Sequence, residues 1–103
     1  MRIYFENEEL EQFYRSPENE IKGKQKYPTG IIKQYKRAIQ RLSSIPRLDT
    51  LRQFRGLQFE YLKGNRKGEC SIRLNDQYRL IFKPISEDKI EVLLIKDISK
   101  HYE

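Results

Sequence analysis

Apolar and polar positions change rhythm twice along this chain. The opening MRIYF sets Ile3 and Phe5 against polar neighbours, the two-residue period of a strand. In NEELEQFYR the spacing lengthens, and Leu10, Phe13 and Tyr14 fall on one helical face. Asn7 is placed to cap that helix, and acidic residues suit its first turn. SPENEIKGKQKYPTG, with its proline, glycine and charge, predicts a loop. TGIIKQYKRAIQRLSSI predicts the clearest helix. Ile31, Ile32, Tyr35, Ile39 and Leu42 form its apolar stripe, while Lys33, Lys36, Arg37 and Arg41 crowd the other side. Thr29 is the expected cap and Pro46 the stop. LDTLRQF predicts a short helical turn before Gly56.

Beyond Gly56 the period returns to two. LQFEYLK, ECSIRLN, YRLIFK and KIEVLLIK predict four strands, separated by GNRKG, NDQ and PISED. Connections this short suit an antiparallel meander. With NDQ as a three-residue loop, Leu74 opposes Tyr78 and Arg73 opposes Arg79, so both arginines share a face. A two-residue loop breaks that pairing. The first register is preferred, because arginines facing each other are tolerated where an anion lies between them. The expected fold class is α+β: an N-terminal strand and two to three helices packed on one face of a mainly antiparallel four- to five-stranded sheet. The other face, carrying the arginines, is expected to be open.

Composition narrows the function classes. The 103 residues suggest one domain, 1–103, with a modest core. Aromatic, isoleucine and leucine content argue against disorder. The net charge of +6 is unevenly spread. Residues 1–20 hold two basic and six acidic side chains; residues 21–83 hold sixteen basic and four acidic; residues 84–103 hold three and five. A central excess of this size favours a polyanion, nucleic acid or ribosome, over a small acidic metabolite. The single cysteine, Cys70, fits a reducing compartment and reads as a packed side chain. The N-terminus lacks a signal-peptide run and no segment is long enough to cross a membrane, so a cytoplasmic protein is expected. With one histidine and one cysteine there is no zinc cluster, and Gly64 to Gly68 lacks a Walker ending; no metal or cofactor is expected.

LKGNRKGECSIRLNDQYRLIF, together with the upstream F…LEQFY segment, resembles the HigB family of RelE-like toxins. The pattern L-K-G-x-x-K-G-x-x-S-I-R-x-N-x-Q-[WY]-R is matched from Leu62 to Arg79, and the order of elements agrees over essentially the whole chain. The resemblance implies a RelE-like fold and a toxin of a bacterial toxin–antitoxin pair. Such toxins cleave mRNA in the ribosomal decoding site. Their partner is a HigA-like helix-turn-helix antitoxin, and operator DNA is reached only through it.

The chemistry such a toxin needs is modest. The 2′-hydroxyl of RNA attacks the adjacent phosphate once it is deprotonated, the added charge is stabilised, and the 5′-oxygen is protonated. Arg73 and Arg79 match the arginines of the family hairpin, and a guanidinium fork suits phosphate oxygens. The alternative for each is an ion pair with Glu60 or Asp97. His101 and Tyr102 are similar to the His-Tyr ending of YoeB toxins, whereas the Asp-Tyr-His triplet of HigB proteins is missing. Two readings of proton transfer therefore stand, one on His101 and Tyr102 and one on Asp97. Glu60 lies where several HigB proteins carry a histidine and is a further base candidate. Among arginines it would stay ionised, and its alternative is a salt bridge. Lys63, Arg66 and Lys67 are read as ribosomal RNA contacts, with Lys36 and Arg37 of the basic helix face. Two other functions compete: a non-catalytic ParE-like inhibitor of another target such as gyrase, and a plain RNA-binding module. Against the latter, Tyr27, Tyr35, Phe54, Phe59 and Phe82 read as core or loop residues rather than a stacking platform.

Overall fold

The computed structural model describes residues 1–21 and 26–100. Strand β1 (Arg2–Phe5) leads into helix α1 (Glu8–Arg15), and the longer helix α2 (Ile31–Ser44) follows. Two 3-10 turns, Leu48–Gln53 and Arg55–Leu57, connect α2 to β2 (Glu60–Tyr61), β3 (Cys70–Arg73), β4 (Tyr78–Glu87) and β5 (Ile90–Lys100). The five strands form one sheet in the order β1-β5-β4-β3-β2. β1 lies parallel to β5, and the other pairs are antiparallel. This is the α+β architecture expected from the sequence.

Local chemistry explains most boundaries. Asn7 Oδ1 accepts the Leu10 N–H at 2.9 Å, capping α1 as expected. Helix α2 starts differently. Thr29 does not cap it; Gly30 takes the cap position at φ +92°, a region open to glycine. Ile45 is extended, as the residue before Pro46 must be. Both helices cover one sheet face. Phe13, Tyr35, Ile39 and Leu42 pack there with Ile72, Leu80, Phe82, Leu93 and Ile95, all essentially without solvent exposure. The buried Tyr35 hydroxyl donates to the Leu10 carbonyl at 2.7 Å, and burial raises its pKa well above the tyrosine range.

Three strand expectations change. LQFEYLK shortens to Glu60–Tyr61, because Gln58 turns the chain with φ +48° and Gly64–Arg66 curls into a 3-10 turn. PISED is not a loop. β4 runs through Pro84 to Glu87, since β3 ends opposite Phe82 and leaves β4 an edge that tolerates proline. The connection contracts to Asp88 and Lys89, at φ +49° and +68°, the signs a two-residue hairpin requires. β5 continues to Lys100, past a bulge at Lys96. Ile81 pairs with Asp97 while Phe82 pairs with Ile95. The extra residue inverts the alternation, so Leu93 and Ile95 face the core before it and Ile98 after it. Asp97 and Ser99 thereby turn to the face away from the helices. The NDQ register is as expected: Arg73 opposes Arg79, and Asn75 Oδ1 accepts the N–H groups of Gln77 and Tyr78, both at 2.8 Å.

Candidate active-site cleft

On the helix-free face the register sets Glu60, Ser71, Ile81 and Asp97 in one row, and Arg73, Arg79 and Ser99 in the next. Glu60, Leu62, Arg66, Ser71, Arg79, Ile81, Ser99 and Lys100 line a cleft of about 220 Å³. This face is not simply open. The turn before β2 folds over it, and Arg79 is only 6% exposed.

Arg79 is held from three sides. Its Nε–H donates to Ser71 Oγ at 2.9 Å and its Nη1 to Gln58 Oε1 at 3.3 Å, while Nη2 donates to the Gln58 carbonyl. Among the described residues no carboxylate reaches salt-bridge distance of it. Burial lowers its pKa; Glu60 opposes that effect and Arg73 adds to it. A guanidinium nonetheless stays protonated. A buried positive charge with only neutral acceptors is an unfavourable arrangement that an anion in the cleft would relieve.

The other candidates pair differently from the ion pairs considered for Arg73 and Arg79. Arg73 donates to Asp76, a carboxylate 91% exposed and therefore a weak hold. Asp97 pairs with Arg66: Nη2 to Oδ2 is 3.2 Å, while Arg66 Nη1 donates to Glu69 Oε1 at 2.8 Å. Burial raises the Asp97 pKa and Arg66 opposes it. Arg66 thus belongs to the cleft wall. Lys63 and Lys67 are exposed on the adjoining loop. Lys36 and Arg37 are not brought to the cleft; they lie across the sheet. The Lys36 ammonium donates to the Tyr14 carbonyl at 3.0 Å and to that of Ser16, closing the end of α1. His101 and Tyr102 lie outside the described residues. Gln58 and Ser71 hold Arg79 without having been singled out. Ser71 sits inside the S-I-R motif; Gln58 carries no signal, since left-handed backbone is usually announced by glycine or asparagine.

Solved structures share this architecture. The YoeB/ParE toxin from Agrobacterium tumefaciens superposes with a TM-score of 0.58 at 13% identity, covering 99% of this chain and 100% of that one. A histidine-to-glutamine mutant of YafQ from E. coli gives 0.58 at 14% identity, over 97% and 93%. The fold is that of the RelE-like toxins. The family model described as the RelE-like toxin of type II toxin–antitoxin system HigB matches residues 3–96. Toxin HigB-1 of Vibrio cholerae is 40% identical over 82 residues, 80% of this chain and 82% of the relative. The chain belongs to the HigB family of type II toxins, and an antitoxin is its partner.

Proposed function

We propose that this toxin cuts mRNA on the ribosome by internal transesterification. The 2′-oxygen forms a bond to phosphorus and the bond from phosphorus to the 5′-oxygen breaks. One proton leaves the 2′-hydroxyl and one arrives on the 5′-oxygen, giving a 2′,3′-cyclic phosphate and a free 5′-hydroxyl. The observation that carries this reading is Arg79, buried on the cleft floor and without a carboxylate partner among the described residues. Its free N–H groups would stabilise the charge that develops on the phosphate. Arg73, loosely held by an exposed Asp76, would swing onto the same group. Glu60 in the lining is the base candidate. Asp97, paired with Arg66, is assigned an orienting role here, and the proton for the 5′-oxygen is assigned to His101 or Tyr102.

Lys63 and Lys67 flank the cleft and would meet ribosomal RNA. The antitoxin is proposed to be a HigA-like helix-turn-helix protein that carries the complex to operator DNA. Purified toxin added to ribosomes programmed with a defined message tests the reading. Cuts at fixed positions ending in cyclic phosphate are expected. Intact message beside arrested growth would refute it and favour a non-catalytic inhibitor.

A further inference from the structure

Strand β2 is a sheet edge, and its alternation separates two surfaces. Glu60 points into the cleft; Phe59 points to the other side, where it stacks on core Phe82 with ring centroids 6.4 Å apart. Tyr61 follows Phe59, and the two rings meet edge-on at 5.2 Å. The Arg52 guanidinium lies over both, 5.4 Å from the Phe59 centroid and 5.7 Å from that of Tyr61. Two residues on from Arg52, Phe54 has Arg41 of α2 4.5 Å over its ring. Phe54 and Tyr61 are exposed, at 37% and 55%. Among the described residues Arg41 and Arg52 have no carboxylate at salt-bridge distance, nor do Arg37 and Arg55.

Each half of this surface has an ordinary explanation alone. Exposed rings suit a protein partner, and basic residues suit solvent. Their combination is more selective. Planar guanidinium groups lying on aromatic faces present flat cationic surface, which stacks on nucleobases and pairs with phosphates. An apolar partner helix would instead have to cover the charged heads of Arg41 and Arg52 without compensating them.

We propose that this surface binds single-stranded RNA, with bases stacked on Tyr61, Phe54 and Arg52 and phosphates held by Arg41 and Arg52. It rests on the nuclease reading only for the strand's path: RNA leaving the cleft at Glu60 crosses the β2 edge and meets Tyr61. Nothing in the sequence announces such a platform: Phe54 and Phe59 read there as core or loop residues, and Tyr61 carries no signal of its own.

Fluorescence anisotropy with 2′-O-methyl oligonucleotides, which cannot be cut, tests this. An octanucleotide is expected to bind more tightly than a dinucleotide. Tyr61→Ala and Arg52→Gln should each weaken octanucleotide binding by about tenfold, the scale of one lost stacking partner, with dinucleotide binding unchanged. Tyr61→Phe keeps the ring and should bind like the parent. Should Tyr61→Ala lose its cooperative melt, Arg52→Gln at its exposed site carries the test. Unchanged octanucleotide affinity in a folded Arg52→Gln would overturn the proposal. So would loss of antitoxin affinity with RNA binding intact, which would make the surface a protein interface. If octanucleotide binding behaves as expected but programmed ribosomes keep their message intact, the nuclease reading falls and this one stands. The reverse pair of results removes this one alone.

Discussion

Gln58 holds Arg79 from a backbone conformation that glutamine disfavours. At φ +48° and ψ +51° it sits in the left-handed region, which costs an L-residue about 1–2 kcal/mol. Gln58→Gly removes that cost and keeps the carbonyl that accepts Arg79 Nη2. It loses the side-chain bond from Nη1, which at 3.3 Å is long and worth about 1 kcal/mol net. Glycine's extra freedom in the unfolded chain takes back about 1 kcal/mol. These terms nearly cancel, so Gln58→Gly should unfold within about 1 kcal/mol of the parent. Gln58→Val loses the same bond and places a β-branched side chain where it is least tolerated. It should fall about 2–3 kcal/mol below the parent, with Gln58→Asn nearer the glycine variant. Urea unfolding reads this as midpoint shifts at constant slope. A valine variant as stable as the glycine variant would refute the reasoning, because the left-handed turn would then not be imposed by the fold.

Other consequences are as direct. Asn7→Ala removes the cap on α1 and should cost about 1 kcal/mol by thermal melt; an unchanged melting temperature would contradict the cap. Burial pushes the Cys70 thiol up to about 11, and the side chain has no exposure. It should therefore resist a disulfide thiol reagent until the protein unfolds, and rapid reaction of the native protein would count against the packing. Asp97 has a raised pKa in the folded chain, so the native state binds more protons there than the unfolded state does. Stability should fall as pH rises from the unfolded to the folded carboxylate pKa and level off above it. Asp97→Asn should abolish that fall, and a stability difference from the parent that ignores pH would sink the assignment.

The hairpin that holds the arginines was legible because its information is local. Asn75 announces an Asx turn, three loop residues fix the register, and alternation puts Arg73 beside Arg79. The apolar stripe of α2 was equally plain, since its period depends only on its own residues. What was not legible depends on distant strands. Pro84 reads as a breaker until one knows that β3 has already ended and left β4 at an edge. Nothing in KDISK marks the bulge at Lys96, yet that bulge turns Asp97 toward Arg66. Gln58 is the clearest case. No composition signals its left-handed turn, which persists because the turn lays its carbonyl on a buried guanidinium. Lys36 shows another long-range dependence: nothing in the helix period says that its ammonium reaches the carbonyls of Tyr14 and Ser16.

The proposed nuclease chemistry stands or falls on whether Arg79 grips the phosphate that is cut. The most direct measurement is the single-turnover rate of mRNA cleavage on programmed ribosomes, parent beside Arg79→Ala, with folding and ribosome binding measured in parallel. Fixed-position cuts by the parent are expected, with a rate lower by about a hundredfold or more in the variant, the scale of losing one preorganised donor to a developing oxyanion. A folded, ribosome-bound Arg79→Ala that cuts at the parent's rate would contradict it.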